Sequence, residues 1–170
     1  MPKSHKENLP NVWSTKVFNM LNDKRFQREM DQKYTVDKKH DVPYLAGYSK
    51  NDRVIYFDRH FPTNMNGTNI EKYITLHEKT EKALIDIFKL HYQQAHHIAT
   101  HVEHMSLVSD GLNWKKYTVY CEKYIKPCGH EKVTNPPPDL DLTPYQDEKD
   151  YANLKELIDG PNAKSKTSKN

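Results

Sequence analysis

HEKTEKALIDIFKL, residues 77–90, reads as an amphipathic helix. With Ile74 upstream, Leu84, Ile85, Ile87 and Phe88 form one broad apolar face at about 100° per residue. His77 falls near the middle of that face, Glu81 lies one turn further on the same side, and Glu78 lies toward its edge. A carboxylate turned to the core needs a strong partner, because an unpaired buried charge is costly. A metal ion is one such partner; a buried lysine or arginine is another. HEKTE is one letter from the HExxH signature of zinc peptidases, with Glu81 where the second histidine would stand. Side chains at i and i+4 converge on one ion in either case. The helix is predicted from residue 69 or 70 to residue 90. The rival reading of HEKTEK is a solvated first turn with a ladder of ion pairs.

A second helix is predicted from residue 92 or 93 to residue 109, stopped by Asp110-Gly111. Ala95, Ile98, Ala99, Val102 and Met105 form its expected packing stripe. His96, Thr100 and Glu103 run along one flank, and His97, His101 and His104 along the other. Small Ala95 and Ala99 allow a close approach to a neighbour, so a flanking side chain can reach a shared ion. Periodicity does not decide which flank faces the first helix. The favoured ligand set is His77, Glu81, His96 and Glu103, two imidazoles and two carboxylates suited to zinc or another divalent ion. His97 with His101 is the competing pair.

Upstream, residues 11–30 read as one or two short helices. DVPYLAGYS and RVIYFDRHFP, separated by KND, read as a two-stranded antiparallel hairpin, because VIYF is β-branched and aromatic and Asn51-Asp52 favours a turn. TNMNGTN follows as a loop. Downstream, Trp114, Tyr117, Cys121, Tyr124 and Ile125 predict a third amphipathic helix, ended by Pro127 and Gly129. VTNPPPDLDL predicts an extended linker over 134–143. Thr143-Pro144 then suits the cap and first position of a last helix, stopped at Gly160-Pro161. The expected architecture is α+β: a small antiparallel hairpin packed with three or four helices in one domain over 11–160. Residues 1–10 and 161–170 are expected to be flexible or disordered tails.

Composition narrows the function classes. The 170 residues carry a net charge of only +3, with lysines concentrated near the termini, so charge does not imply nucleic-acid binding. No apolar run has the length of a membrane span, and MPKSHKENLP has no signal-peptide core, which predicts a cytoplasmic protein without membrane partners. Two cysteines do not make a disulfide framework. Cys121, Cys128 and His130 lack the paired spacing of a second metal site, and Cys121 reads as a core residue. DLDLTPYQDEKD lacks the ligand alternation of a calcium loop.

GYSKNDRVIYFDRHFP, HEKTEKALID, AHHIATHVEH and GLNWKKY together resemble a group of uncharacterised bacteriophage and bacterial proteins, over residues 44–126. Members look like small zincin-type metallopeptidases, with a hairpin before the HE-containing helix. The resemblance implies a zincin-like fold, a zinc cofactor, a peptide or protein substrate and, if the source is a phage, residence in the host cytoplasm. By similarity to HExxH, Glu78 is the candidate general base for water activated by the ion. The edge of RVIYFDRHFP is the candidate strand for pairing with substrate backbone. Glu81 departs from the HExxH pattern, and its negative charge weakens the Lewis acidity of a bound ion.

Three further residues complete the catalytic candidates. Arg59 and His60 follow the predicted strand, where Arg59 can neutralise a glutamate or an oxyanion and His60 can carry a proton or join the ligands. Tyr92, one turn before His96, can reach a ligand with its hydroxyl; core packing is its other role. The rival class is a non-enzymatic interaction protein in which a metal, or the His/Glu cluster alone, joins two helices.

Overall fold

The computed structural model describes residues 15–130 and 133–146. Two short helices, α1 (Thr15–Leu21) and α2 (Lys24–Met30), lead into strand β1 (Thr35–His40). Strands β2 (Ala46–Tyr48) and β3 (Val54–Asp58) follow, then β4 (Asn64–Met65) and β5 (Thr68–Asn69). The rest is helical: α3 (Glu71–Phe88), α4 (Tyr92–Ser109), α5 (Trp114–His130) and α6 (Thr143–Gln146). The class is α+β, and no helix of the described residues is long and apolar enough to cross a membrane.

The expected hairpin is present: β2 pairs antiparallel with β3, with Ala46 opposite Phe57 and Tyr48 opposite Ile55. A third strand was not expected. β1 lies parallel to β3 on its other side, giving the order β1-β3-β2. RVIYFDRHFP is therefore the central strand, with both edges paired, and the edge nearer the helices belongs to β2. The segment expected as a loop forms a second, two-stranded sheet of β4 and β5. Its turn residues Asn66 and Gly67 have φ of 50° and 87°, the left-handed pair that a tight hairpin turn requires.

Helix α3 divides the core. Toward its start, Ile70, Tyr73 and Ile74 pack with Ile55, Phe57, Leu107, Tyr117 and Cys121. Toward its end, Ala83 and Leu84 pack with Met20, Phe26, Ala95 and Ile98. Between these apolar clusters lies a buried polar layer on α3, formed by His77, Thr80 and Glu81. The Asn69 side chain accepts from the Glu71 N–H at 3.0 Å and starts the helix. Lys89 turns left-handed at φ 56° and stops it, slightly before the expected Leu90.

Helix α4 has the expected bounds but a shifted inner face. Ala95, Ile98, Ala99, Glu103 and Leu107 are buried, whereas Met105, expected in the stripe, is 57% exposed. Met105 lies about 120° around the helix from Ala99, so following the apolar residues alone drifts off the buried face. Glu103 takes the inner position because it finds hydrogen-bond partners there. Gly111 at φ 79° ends the helix, with the Leu112 N–H returning to the Leu107 carbonyl at 3.1 Å. Helix α5 does not end at Pro127 as expected; it continues to His130, since one proline removes only one donor from the ladder. The expected last helix begins at Thr143, but its body and both terminal tails lie outside the described residues.

The segment read as a linker is extended but fastened to the sheet. Asp41 accepts from the Thr134 N–H at 2.9 Å, the Thr134 hydroxyl at 2.7 Å and the Asn135 N–H at 2.9 Å. Asp139 accepts from the Ser49 and Tyr56 hydroxyls, and Leu140 bridges to Ser49. Replacing Asp41 with alanine leaves those donors unmatched. The expected loss is about 1.5–3 kcal/mol, with faster amide exchange at Thr134 and Asn135 than elsewhere; unchanged exchange there would contradict the fastening role.

Candidate metal centre

The layer between the two cores brings α3 and α4 together through four side chains. His77 Nε2 lies 3.1 Å from His96 Nδ1 and 3.5 Å from Glu81 Oε2. Glu81 Oε2 lies 2.9 Å from His96 Nδ1. These three atoms form a triangle, and residues His77, Glu81 and His96 group as a set able to hold a metal ion. Zinc bound to nitrogen or oxygen at about 2.0–2.1 Å places adjacent ligands of a tetrahedron about 3.3 Å apart. The triangle fits that size, and two imidazoles with one carboxylate suit zinc or a similar divalent ion.

Glu103 sits behind the triangle. Its Oε2 is 3.0 Å from His77 Nδ1, so the carboxylate fixes the ring and leaves Nε2 turned to Glu81 and His96. The Tyr117 hydroxyl donates to the other oxygen of Glu103. Glu103 was expected as a ligand; its carboxylate approaches His77 Nδ1, on the side of the ring away from the His77–Glu81–His96 triangle. Tyr117 was read only as packing, and its helical spacing to Cys121 gave no sign of a hydrogen bond to Glu103.

Burial favours a neutral His77, but hydrogen bonds to Glu103 and Glu81 outweigh it and hold its pKa well above the usual histidine range. Burial would raise Glu81, yet hydrogen bonds to His77 and His96 bring it below the usual glutamate value. Glu78 has no such hydrogen bond among the described residues: burial and the charges of Glu81 and Glu103 push it up to about 8, against the pull of His77. Cys121 is pushed up to about 12 by burial and by Glu103, which holds it as a thiol in the metal-free protein.

The raised His77 value sets a pH dependence. Its contribution to stability is complete below the unfolded histidine range and is lost as pH rises through the raised folded value. A bound cation would replace that proton, so metal uptake would release it. The zinc-induced rise in Tm is expected to grow from about pH 6 to about pH 9; thermal melts with and without zinc check this, and a rise that shrinks with pH would contradict it.

The triangle lines a cavity of about 560 Å³ bounded by β2, α3, α4, α5 and the 141–144 segment. Glu78 and Tyr92 also line it, and the Tyr92 hydroxyl is 3.4 Å from His96 Nδ1. Arg59 and His60 do not reach it. Arg59 Nε pairs with Asp41 at 2.6 Å, and His60 Nε2 lies 3.1 Å from Arg59 Nε. The end of β3 therefore serves the fastening of residues 134–135, which removes both residues from the candidate catalytic set. His97 and His101 form a ring pair of their own at 4.9 Å and do not join His77. No family model, curated protein or solved structure matches the chain.

Proposed function

We propose that the protein is a metal-dependent hydrolase, with zinc the best-fitting ion and a peptide or amide bond the substrate. The observation that carries this reading is a three-residue ligand triangle in the wall of an open cavity, with Glu78 beside it. Structural zinc sites close with four protein ligands, whereas catalytic sites keep three and leave a position for water or substrate. The ion would supply Lewis acidity to a carbonyl oxygen and lower the pKa of water. Glu78 takes a proton from the attacking water, whose oxygen adds to the carbonyl carbon. The C–N bond then breaks, and Glu78 returns the proton to the departing nitrogen. Burial raises the Glu78 carboxyl in the metal-free site and a bound cation would lower it again, toward the neutral range that suits proton transfer in both directions. The Tyr92 hydroxyl, in the same cavity wall, would donate to the developing oxyanion. His77, Glu81 and His96 would hold the ion, while Glu103 and Tyr117 keep His77 oriented.

The second reading is a non-enzymatic protein in which a metal, or the cluster alone, joins α3 to α4. Its support is that the four side chains already satisfy one another at 2.9–3.5 Å. Metal-dependent turnover of a mixed peptide pool separates the two: the hydrolase reading expects products that disappear with a chelator and return with zinc. Full zinc occupancy without products across the pool would favour the joining role.

A further inference from the structure

We infer that the cavity receives the free amino terminus of a peptide, so that cleavage falls near a chain end. This rests on the hydrolase reading and narrows its substrate class. The argument begins with the hydrogen-bond parity of β2. The Leu45 carbonyl accepts from the Asp58 N–H at 2.9 Å, and the Ser49 N–H donates to the Val54 carbonyl at 2.9 Å. Bonding alternates along an antiparallel pair, so Ala46 and Tyr48 turn their backbone groups to the opposite edge.

The chain's own 139–141 segment covers one end of that edge. The Asp141 N–H donates to the Tyr48 carbonyl at 2.9 Å, and the Lys50 N–H donates to the Asp139 carbonyl at 2.8 Å. The segment then leaves the edge, because the Thr143 N–H turns to Asp141 Oδ1 at 2.9 Å and α6 begins. Among the described residues nothing pairs with the Ala46 backbone on that edge, and Ala46 lies half-buried in the same cavity wall as the ligand triangle. An extended ligand pairing with Ala46 therefore meets a closed end beyond Tyr48.

Strand direction decides which terminus meets that end. A ligand antiparallel to β2 places its amino terminus there; a parallel one places its carboxyl terminus there. Charge favours the first. Asp141 and Glu122 line the cavity, and no described lysine or arginine does; a bound divalent ion would offset Glu81 and Glu103 and leave the charges of Asp141 and Glu122. An ammonium group is attracted to such a site and a carboxylate repelled. Tyr44, Tyr48 and Trp114 add aromatic surface suited to a cation or an apolar side chain. Water supplies oxygen to the acyl product and hydrogen to the released amine, so no other reactant is required.

Tri-leucine with both ends free, N-acetylated, or C-amidated is the probe. Each form is titrated calorimetrically into full-length zinc-treated E78Q and into metal-free wild type. The free form is expected to bind at least about tenfold more tightly than the acetylated form, with amidation harmless. Asp141→Asn keeps the acceptor for Thr143 and is expected to narrow the gap without changing zinc content. Equal binding of free and acetylated forms, a larger loss on amidation, or no binding by any form overturns the inference. Zinc content is measured separately. An amino-terminal preference in a chain that takes up no zinc would remove the hydrolase and leave the terminus-binding cavity standing.

Discussion

Glu78→Gln is expected to lower metal-dependent turnover by about 10²–10⁴-fold while zinc content stays at the wild-type level. Glutamine keeps the size and hydrogen-bonding capacity of the side chain but neither takes nor returns a proton. Glu78 is not part of the ligand triangle, so its neutral replacement leaves the three donor atoms in place. It also removes a carboxyl group that burial and two neighbouring carboxylates disfavour as an anion, so the fold should not suffer. Turnover and zinc content measured on the same preparations check this. Loss of zinc in E78Q would make Glu78 a ligand, and unchanged turnover would remove its proton-transfer role.

The second large effect concerns stability. His77→Ala is expected to abolish zinc uptake and to cost about 3–5 kcal/mol, because Glu81 and Glu103 are left as buried carboxylates without their shared partner. His96→Ala is expected to abolish uptake with a much smaller loss, since the His96 side chain is 48% exposed. Chemical denaturation of both variants in the absence of metal measures the difference. Comparable losses would contradict the asymmetry between the buried and exposed ligand. A mild loss for H77A would show that the two carboxylates become protonated or solvated at little cost.

The helix pair was legible because its signals are local. Period and end signals place α4 at its observed bounds, and the buried face of α3 puts His77 and Glu81 side by side on it. The hairpin was legible for the same reason, since β2 and β3 are neighbours in sequence and Asn51-Asp52 lies between them. β1 was not. TVDKKH alternates neither apolar nor polar residues, and its half-exposed strand pairs in parallel with one that comes after β2. Missing it made β3 look like an edge strand open to a substrate backbone. Hydrogen bonds across 93 or 94 residues, such as those from Thr134 and Asn135 to Asp41, likewise leave no local trace in the sequence.

The histidine–glutamate cluster was legible to the level of which residues share a flank; the choice of the flank that meets α3 came from ligand chemistry and not from periodicity. Periodicity places His96 and Glu103 on one flank, but it does not say which nitrogen of His77 each carboxylate approaches. That detail separates a closed four-ligand set from three ligands supported by Glu103. Nor does composition forecast that Tyr117 reaches Glu103 from α5.

Zinc content after incubation with the metal and gel filtration tests the centre most directly, with wild type and H96A run side by side. The arrangement of His77, Glu81 and His96 predicts stoichiometric zinc in wild type and essentially none in H96A, with both proteins folded. Absence of zinc from wild type, or equal zinc in the two, would contradict it.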